Sequence, residues 1–300
     1  MYDESEYGDT TRLTEDQKVA HYQSVLSPPP DEPSFSRSLP DPRPFSDFLS
    51  QTGEYLDRYP LALVGEVGLD KSFRIPEAWL PEQADTRDDG LTPGGREGRT
   101  LSRYRVSMEH QRKVLRAQLR LAGEKRRAVS THGVQAHGVV YETLAETWKG
   151  HEKQVLSNRD RKKQGKITEP MDGVGEGEEQ EVDPSSPLPY PPRVCLHSYS
   201  GPAEAIKQYI APSVPCEVFF SFSTTINAWS ESGDGKVEAA LRAVPDERIL
   251  VESDLHTAGE DMDQYLEAAV RTVCRIKGWQ LVAGVTQLRE NWRAFVFGQR

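Results

Sequence analysis

Four residues stand where short apolar runs give way to polar sequence, and their side chains are of the kind that hold metal ions. Glu66 lies late in LALVGEVGLD (61–70), His132 ends AVSTH (128–132), His197 ends RVCLH (193–197) and Asp254 ends RILVESD (248–254). Imidazole nitrogens mixed with carboxylate oxygens suit zinc or a similar divalent ion. An ion held that way polarises a phosphoryl oxygen and supplies hydroxide near neutral pH. Each residue alone has a plainer reading. A single histidine at a strand end is more often a hydrogen-bonded structural group, and Glu or Asp after a strand commonly caps the next helix. Their recurrence on four separate runs raises the metal reading to an even match with the plain one, and it names no substrate.

For these residues to meet, the fold must gather the ends of its strands. The runs 61–70, 128–132, 193–201, 216–223 and 248–254 read as strands, with helices expected over 108–127, 203–210, 236–244 and 264–279. Val114, Leu115, Leu119 and Leu121 among straight-chain residues mark the first of these helices. Strands that are almost continuously apolar and alternate with helices argue for an α/β protein whose parallel sheet is covered on both faces. An open doubly wound sheet and a (β/α) barrel both fit. In a barrel, the carboxyl ends of all strands converge on one face.

The breaks between these runs set the domain organisation. Residues 27–44 are proline-rich and are expected to form neither helix nor central strand. Residues 80–100 read as an exposed polar loop. Residues 150–192 combine a basic patch (RDRKKQGK), an acidic Gly-rich run and PSSPLPYPP; such a stretch buries little and is expected to be a disordered insertion. Residues 1–149 and 193–300 then form the first and second parts of one domain.

Composition limits the chemistry. The formal net charge of −10 excludes binding to phosphate backbones through a general basic field. Any nucleic-acid chemistry must then be local or metal-assisted. Cys195, Cys216 and Cys274 are an odd count without CxxC spacing, against a disulfide framework and in favour of a reducing compartment. No run approaches the ~20 apolar residues of a membrane span, and the acidic N-terminus is unlike a secretory signal. A cytoplasmic or nuclear location, with no membrane partner, is expected.

The motifs VGEVGLD, QRKVLRAQLRLAGEKRR leading into VSTH, CLHSYSG and LVESD together resemble the TatD-type metal-dependent hydrolases. These are TIM barrels of the amidohydrolase-like superfamily, many of them deoxyribonucleases. DKSFRIP (70–76), GVQAHG (133–138), ESDLHTAGEDMD (252–263) and ENWRAFVFG (290–298) look closer still to the fungal branch, often named after an interaction with a subunit of the mitotic ubiquitin-ligase machinery. The resemblance covers roughly residues 13–149 and 193–300. It implies a parallel barrel and one or two divalent ions (zinc, magnesium or manganese) held by Glu66, His132, His197 and Asp254. Glu66 and Asp254 are then catalytic, Asp254 activating water, and the substrate is DNA or another phosphodiester.

The sequence departs from that family at its start. The family's first strand ends in an Asp-x-His-x-His type motif, whereas residues 1–60 hold one histidine, His21. TEDQKVAHYQSVLSP resembles sequence that follows the second strand in the fungal branch. The expectation is a barrel incomplete at its N-terminal edge by about two βα units, roughly 60 residues, and a weak or inactive hydrolase. The alternative is a non-catalytic scaffold that binds a protein through residues 150–192 or the barrel rim. Amide or lactone hydrolysis on a related barrel fits the motifs less well. Of the other residues, His137 is expected in a loop, His256 near the pocket, and His110 and His151 in solvent. Trp279, Trp292, Phe295 and Phe297 are expected in the core, and Cys195 buried and inert.

Overall fold

The apolar runs become strands where their composition places them. The computed structural model describes residues 1–8, 12–79, 98–155, 186–223, 235–255 and 258–298. The chain divides into two units, Met1–Leu121 with Val129–Leu144, and Ala122–Ala128 with Ala145–Arg300.

The first unit opens with the short helix α1 (Glu4–Tyr7) and with α2 (Glu15–Val25), whose start is fixed by a reciprocal cap. The Gln17 N–H donates to Thr14 Oγ1 at 3.3 Å, and the Thr14 N–H donates to Gln17 Oε1 at 2.9 Å, satisfying two otherwise unpaired donors. Strand β1 (Leu26–Ser27) follows, and then α3 (Pro33–Ser38). This helix corrects the expectation that 27–44 forms none: Pro33 sits in the first turn, where a missing N–H costs nothing. The longer α4 (Phe45–Arg58) leads into β2 (Val64–Asp70). Strand β3 (Arg105–Val106) pairs antiparallel with β1.

Helix α5 (Met108–Glu124) buries Leu115 and Leu119, one turn apart on one face, as its pattern predicts. Strand β4 (Val129–Val134) then runs parallel to β2, with Val67 opposite Thr131 and Gly68 opposite His132. The end of β2 is clipped by Gln111. Its amide donates to the carbonyls of Asp70 and Val106, both at 2.9 Å, and its oxygen accepts the Asp70 N–H at 2.8 Å. Asp70 Oδ1 then accepts the N–H groups of Ser72 and Phe73, a turn that stops the strand. Helix α6 (His137–Trp148) follows.

The second unit repeats strand and helix three times: β5 (Arg193–Leu196), α7 (Ala203–Tyr209), β6 (Glu217–Ser223), α8 (Lys236–Ala243), β7 (Ile249–Glu252) and α9 (Glu260–Lys277), with α10 (Leu281–Phe297) last. Strand β6 pairs in parallel with both β5 and β7. Being flanked on both edges and covered on both faces, it reads as a continuous apolar run; Phe219, Phe220 and Phe222 are fully buried, each contributing about 1.5–3 kcal/mol of burial. Helix α9 begins with Glu260, Asp261 and Asp263 and ends at Gly278, whose φ of 70° suits glycine. Asn291 of α10 ties that helix to β7, donating to the carbonyls of Asp246 and Ile249 at 2.7 and 2.8 Å.

The α/β class with parallel strands is therefore as expected. Of the stretch 150–192, residues 156–185, including the basic patch, lie outside the described residues, as do 80–97 of the polar loop. The flanks of the first are tethered: the Lys153 N–H donates to Ser213 O and the Leu188 N–H to Gly123 O.

Candidate metal centre

In the first unit, parallel pairing brings two of the four expected donors together. Glu66 lies on β2 two residues before Gly68, and Gly68 faces His132 on β4. Glu66 Oε1 and His132 Nδ1 are 2.8 Å apart, with the two side chains 55% and 28% exposed. The approach depends on Gly68. Its φ is 154°, and a Cβ there would lie 2.3 Å from His132 O and 2.8 Å from the imidazole ring. Without an ion the pair is joined by a hydrogen bond in which Nδ1–H donates to the carboxylate; to ligate an ion, Nδ1 would give up that proton. A nitrogen and an oxygen 2.8 Å apart also match two ligands of one ion with bonds of ~2.0–2.2 Å.

In the second unit, His197 follows β5 directly and Asp254 lies two residues beyond β7. Asp254 is held by the residue after His197: the Ser198 hydroxyl lies 3.1 Å from Asp254 Oδ2. That hydroxyl is also 2.5 Å from Glu252 Oε1 and 2.9 Å from Ser223 Oγ. Ser221 donates to the other oxygen of Glu252 at 2.7 Å and accepts the Ser198 N–H at 3.3 Å. Ser198, Ser221 and Ser223 are buried. Ser198 and Asp254 both have left-handed backbones, φ 43° and 57°. Such conformations cost about 1–3 kcal/mol each for non-glycine residues, less for Asp, whose side chain tolerates them. Sequence reasoning missed Glu252 and the three serines. Their signal was alternation: Ser221 and Ser223 alternate with Phe220 and Phe222 at the end of an apolar strand.

The remaining expectations divide. His137 is not in a loop; it is the first residue of α6. His110 is not solvated; it is half-buried and lines a cavity of about 220 Å³ with His21, the two rings 6.0 Å apart. His151 is exposed. Of the C-terminal aromatics Phe295 is buried, whereas Trp292 is 51% and Phe297 37% exposed; the two pack on each other at 5.4 Å on the outer side of α10. Cys195, Cys216 and Cys274 are free and buried, and burial pushes the Cys195 thiol up to about 12. His256 lies outside the described residues. Among the described residues, no helix is long and apolar enough to cross a membrane.

Comparison with known proteins adds what geometry leaves open. The chain is 35% identical over 283 residues to the Cut9-interacting protein scn1 of Schizosaccharomyces pombe, covering 94% of this chain and 76% of that one. It is 27% identical to an uncharacterized deoxyribonuclease of Saccharomyces cerevisiae, covering 93% of this chain and 75% of the relative. A solved TatD homolog from Escherichia coli aligns over 85% of this chain and 71% of its own, at 15% identity and a TM-score of 0.48. The sequence profile of TatD related DNase matches residues 41–296, a span that takes in Glu66, His132, His197 and Asp254. With that span matched and a relative similar along nearly its whole length, the chain belongs to the TatD related DNase family.

Proposed function

We propose that this chain is a divalent-metal-dependent hydrolase of phosphodiester bonds, with DNA as substrate and with Glu66, His132, His197 and Asp254 as metal ligands. The observation that carries this reading is the 2.8 Å contact between Glu66 and His132, accessible donors of two kinds at ligand spacing. The donor chemistry supports it further: imidazole nitrogen and carboxylate oxygen are the ligand mix that suits a divalent ion. The same reading takes β2, β4, β5, β6 and β7 as staves of one parallel barrel, with residues 1–149 and 193–300 as its two parts.

When bound, the ion polarises a phosphoryl oxygen and lowers the pKa of water. The chain's own residues do the rest. Glu66 and the two imidazoles fix the site in place. Asp254 uses Oδ2 toward Ser198, while its Oδ1 is hydrogen-bonded to none of the described residues. That oxygen is the one that takes the proton of the attacking water. Four donors would serve one ion, which would need a further position for water, and turnover is expected to be slow without a second ion on the leaving oxygen. The test is DNA-end cleavage by the 300-residue chain with and without chelator, beside His132→Asn and Asp254→Asn. We expect slow, chelator-sensitive cleavage that both substitutions abolish. Chelator-resistant cleavage, or full activity in both variants, would overturn the reading.

A second reading is carried by the printed name of the S. pombe relative, which describes that protein as interacting with Cut9. By analogy this chain binds a protein partner of the mitotic ubiquitin-ligase machinery. The exposed Val282, Val285 and Trp292 of α10 are the apolar side chains it offers. Binding of purified S. pombe Cut9 by wild type and by Val282→Asp/Trp292→Asp tests it; equal binding by both, or none by wild type, counts against this role for α10.

A further inference from the structure

The proton count around Ser198 carries the argument further. One hydroxyl faces two carboxylates, Glu252 at 2.5 Å and Asp254 at 3.1 Å, and a third oxygen, Ser223 Oγ, at 2.9 Å. It has one proton to give. The Ser221 hydroxyl already donates to Glu252 Oε2, so Glu252 is gripped through both oxygens and has little freedom to turn. Ser223 can donate to Ser198 Oγ, which leaves the Ser198 proton for a carboxylate. Glu252 therefore fixes the rotation of the Ser198 side chain, and Ser198 in turn is the described contact of Asp254. The Ser198 N–H is pinned to Ser221 as well, which holds the left-handed turn immediately after His197.

We infer that Ser198 and Glu252 are positioning residues, a strut from β7 through the Ser198 hydroxyl that holds Asp254, and by chain continuity His197, in the orientation that binds the divalent ion. The inference rests on the metal-site reading above. The strut is built for this task by its placement. Glu252 ends β7 two residues before Asp254, Ser198 follows His197, and Ser221 and Ser223 lie on the strand between β5 and β7. Partners beyond the ligands typically tune metal affinity by 10–100-fold. A hydroxyl that touches the ligand carboxylate without binding the metal itself belongs to that class.

Two variants test it, with Asp254→Asn as the reference. Ser198→Ala removes the hydroxyl, and Glu252→Gln keeps the shape while replacing one acceptor with a donor. Co²⁺ titration of the full chain, followed by visible absorption, reports affinity and ligand geometry together, without any turnover. Thermal melting of each metal-free variant shows whether it folds, and Glu252→Gln carries the test if Ser198→Ala does not. We expect Ser198→Ala to weaken Co²⁺ binding about tenfold and to change the absorption bands. Glu252→Gln should act in the same direction and more weakly. In the Asp254→Asn background, Ser198→Ala should add almost nothing, because the hydroxyl's route to the metal is already cut and the Ser198 N–H that holds the turn after His197 is kept. Wild-type affinity and spectrum in both single variants would overturn the strut, as would losses from Ser198→Ala and Asp254→Asn that simply multiply. If Asp254→Asn itself leaves Co²⁺ binding unchanged, the metal-site reading has failed first, a result distinct from failure of the strut alone.

Discussion

His132 and His21 belong to the same unit and carry the same side chain, yet their surroundings give them opposite chemistry. His132 meets a carboxylate at 2.8 Å and is 28% exposed. His21 is 2% exposed and ringed edge-on by Tyr2, Tyr7, Tyr22 and His110 at centroid distances of 5.5–6.4 Å. Among the described residues, its Nδ1 has no hydrogen-bond partner. Burial, reinforced by the nearby amino group and His110, lowers its pKa to about 4. An imidazole with a carboxylate beside it and solvent within reach is open to an ion; one walled by rings is a neutral packing group. The residue type sets the menu, and the neighbours choose from it.

The largest effect expected from this contrast is at His132. His132→Asn should lower metal-dependent cleavage by a hundredfold or more, since losing a ligand exceeds the 10–100-fold typical of its supporting shell. Melting temperature should move little because the site is half open. His21→Ala should do the reverse, costing roughly 2–4 kcal/mol for the cavity it leaves and sparing activity per folded molecule. Activity assays paired with urea unfolding measure both, and a stable but inactive His21→Ala would break the comparison.

The next effect is smaller and sharpens the same point. At Gly68 an added methyl would meet the His132 carbonyl and ring, so Gly68→Ala must shift the imidazole or the strand. A misplacement on the scale of an ångström costs up to about a hundredfold in rate. We expect a loss between tenfold and a hundredfold with metal affinity reduced in step. Unchanged affinity would mean that the His132 ring position is not what the glycine protects.

Why some of this was legible in the sequence follows from the same contrast. Long-range parallel pairing leaves a strong trace, because strands buried on both faces must be apolar throughout; CEVFFSFS could hardly be anything else. The donors at the ends of those runs were visible for the same reason, standing out as polar groups where burial stops. The network behind Asp254 was hidden because Ser221 and Ser223 look like ordinary polar interruptions until β6 is set between β5 and β7. His110 and Trp292 misled in opposite directions. Helix faces are set by what packs on them, and neither residue's neighbours lie near it in the sequence. Helix α3 was missed because proline breaks a helix interior but begins one readily.

The pH dependence of stability gives a third test, of a few kcal/mol at most. Above pH 6.5, His21 is neutral in both the folded and unfolded chain. As pH falls, the unfolded imidazole takes a proton near 6.5, while the folded one resists until about 4. The unfolded state thus binds more protons in that window, and stability drops as pH falls through it. The full loss for this shift is about 3 kcal/mol, complete below pH 4. His110, also lowered first by burial, adds in the same direction, while Glu6 opposes both and Lys113 faces the same cavity. Urea titrations from pH 7 to pH 4 should show this slope, flattened in His21→Asn. An identical slope in the variant would assign the acid loss to other groups.

The smallest effect extends the comparison from imidazoles to thiols. Cys195 is the penultimate residue of β5, beside the candidate site, its Sγ 3.4 Å from Ser221 Oγ, a place where a reactive thiol would be easy to imagine. Burial raises its pKa to about 12, with the Glu252 carboxylate adding to the rise, and Cys216 reaches a similar value, also through burial. At pH 8 a thiol of that pKa is ionised to about one part in ten thousand, and the thiolate is the reacting species. Like His21, then, Cys195 is silenced by its walls rather than by its chemistry. Native protein exposed to a thiol-specific reagent at pH 8 should leave Cys195 and Cys216 unmodified on the time scale in which urea-unfolded chain reacts at all three cysteines. Labelling should leave cleavage activity as it was. Rapid modification of Cys195 in the native protein would show that the end of β5 opens to solvent. The strut behind Asp254 would then be looser than its hydrogen bonds imply, since Ser221 is shared by both.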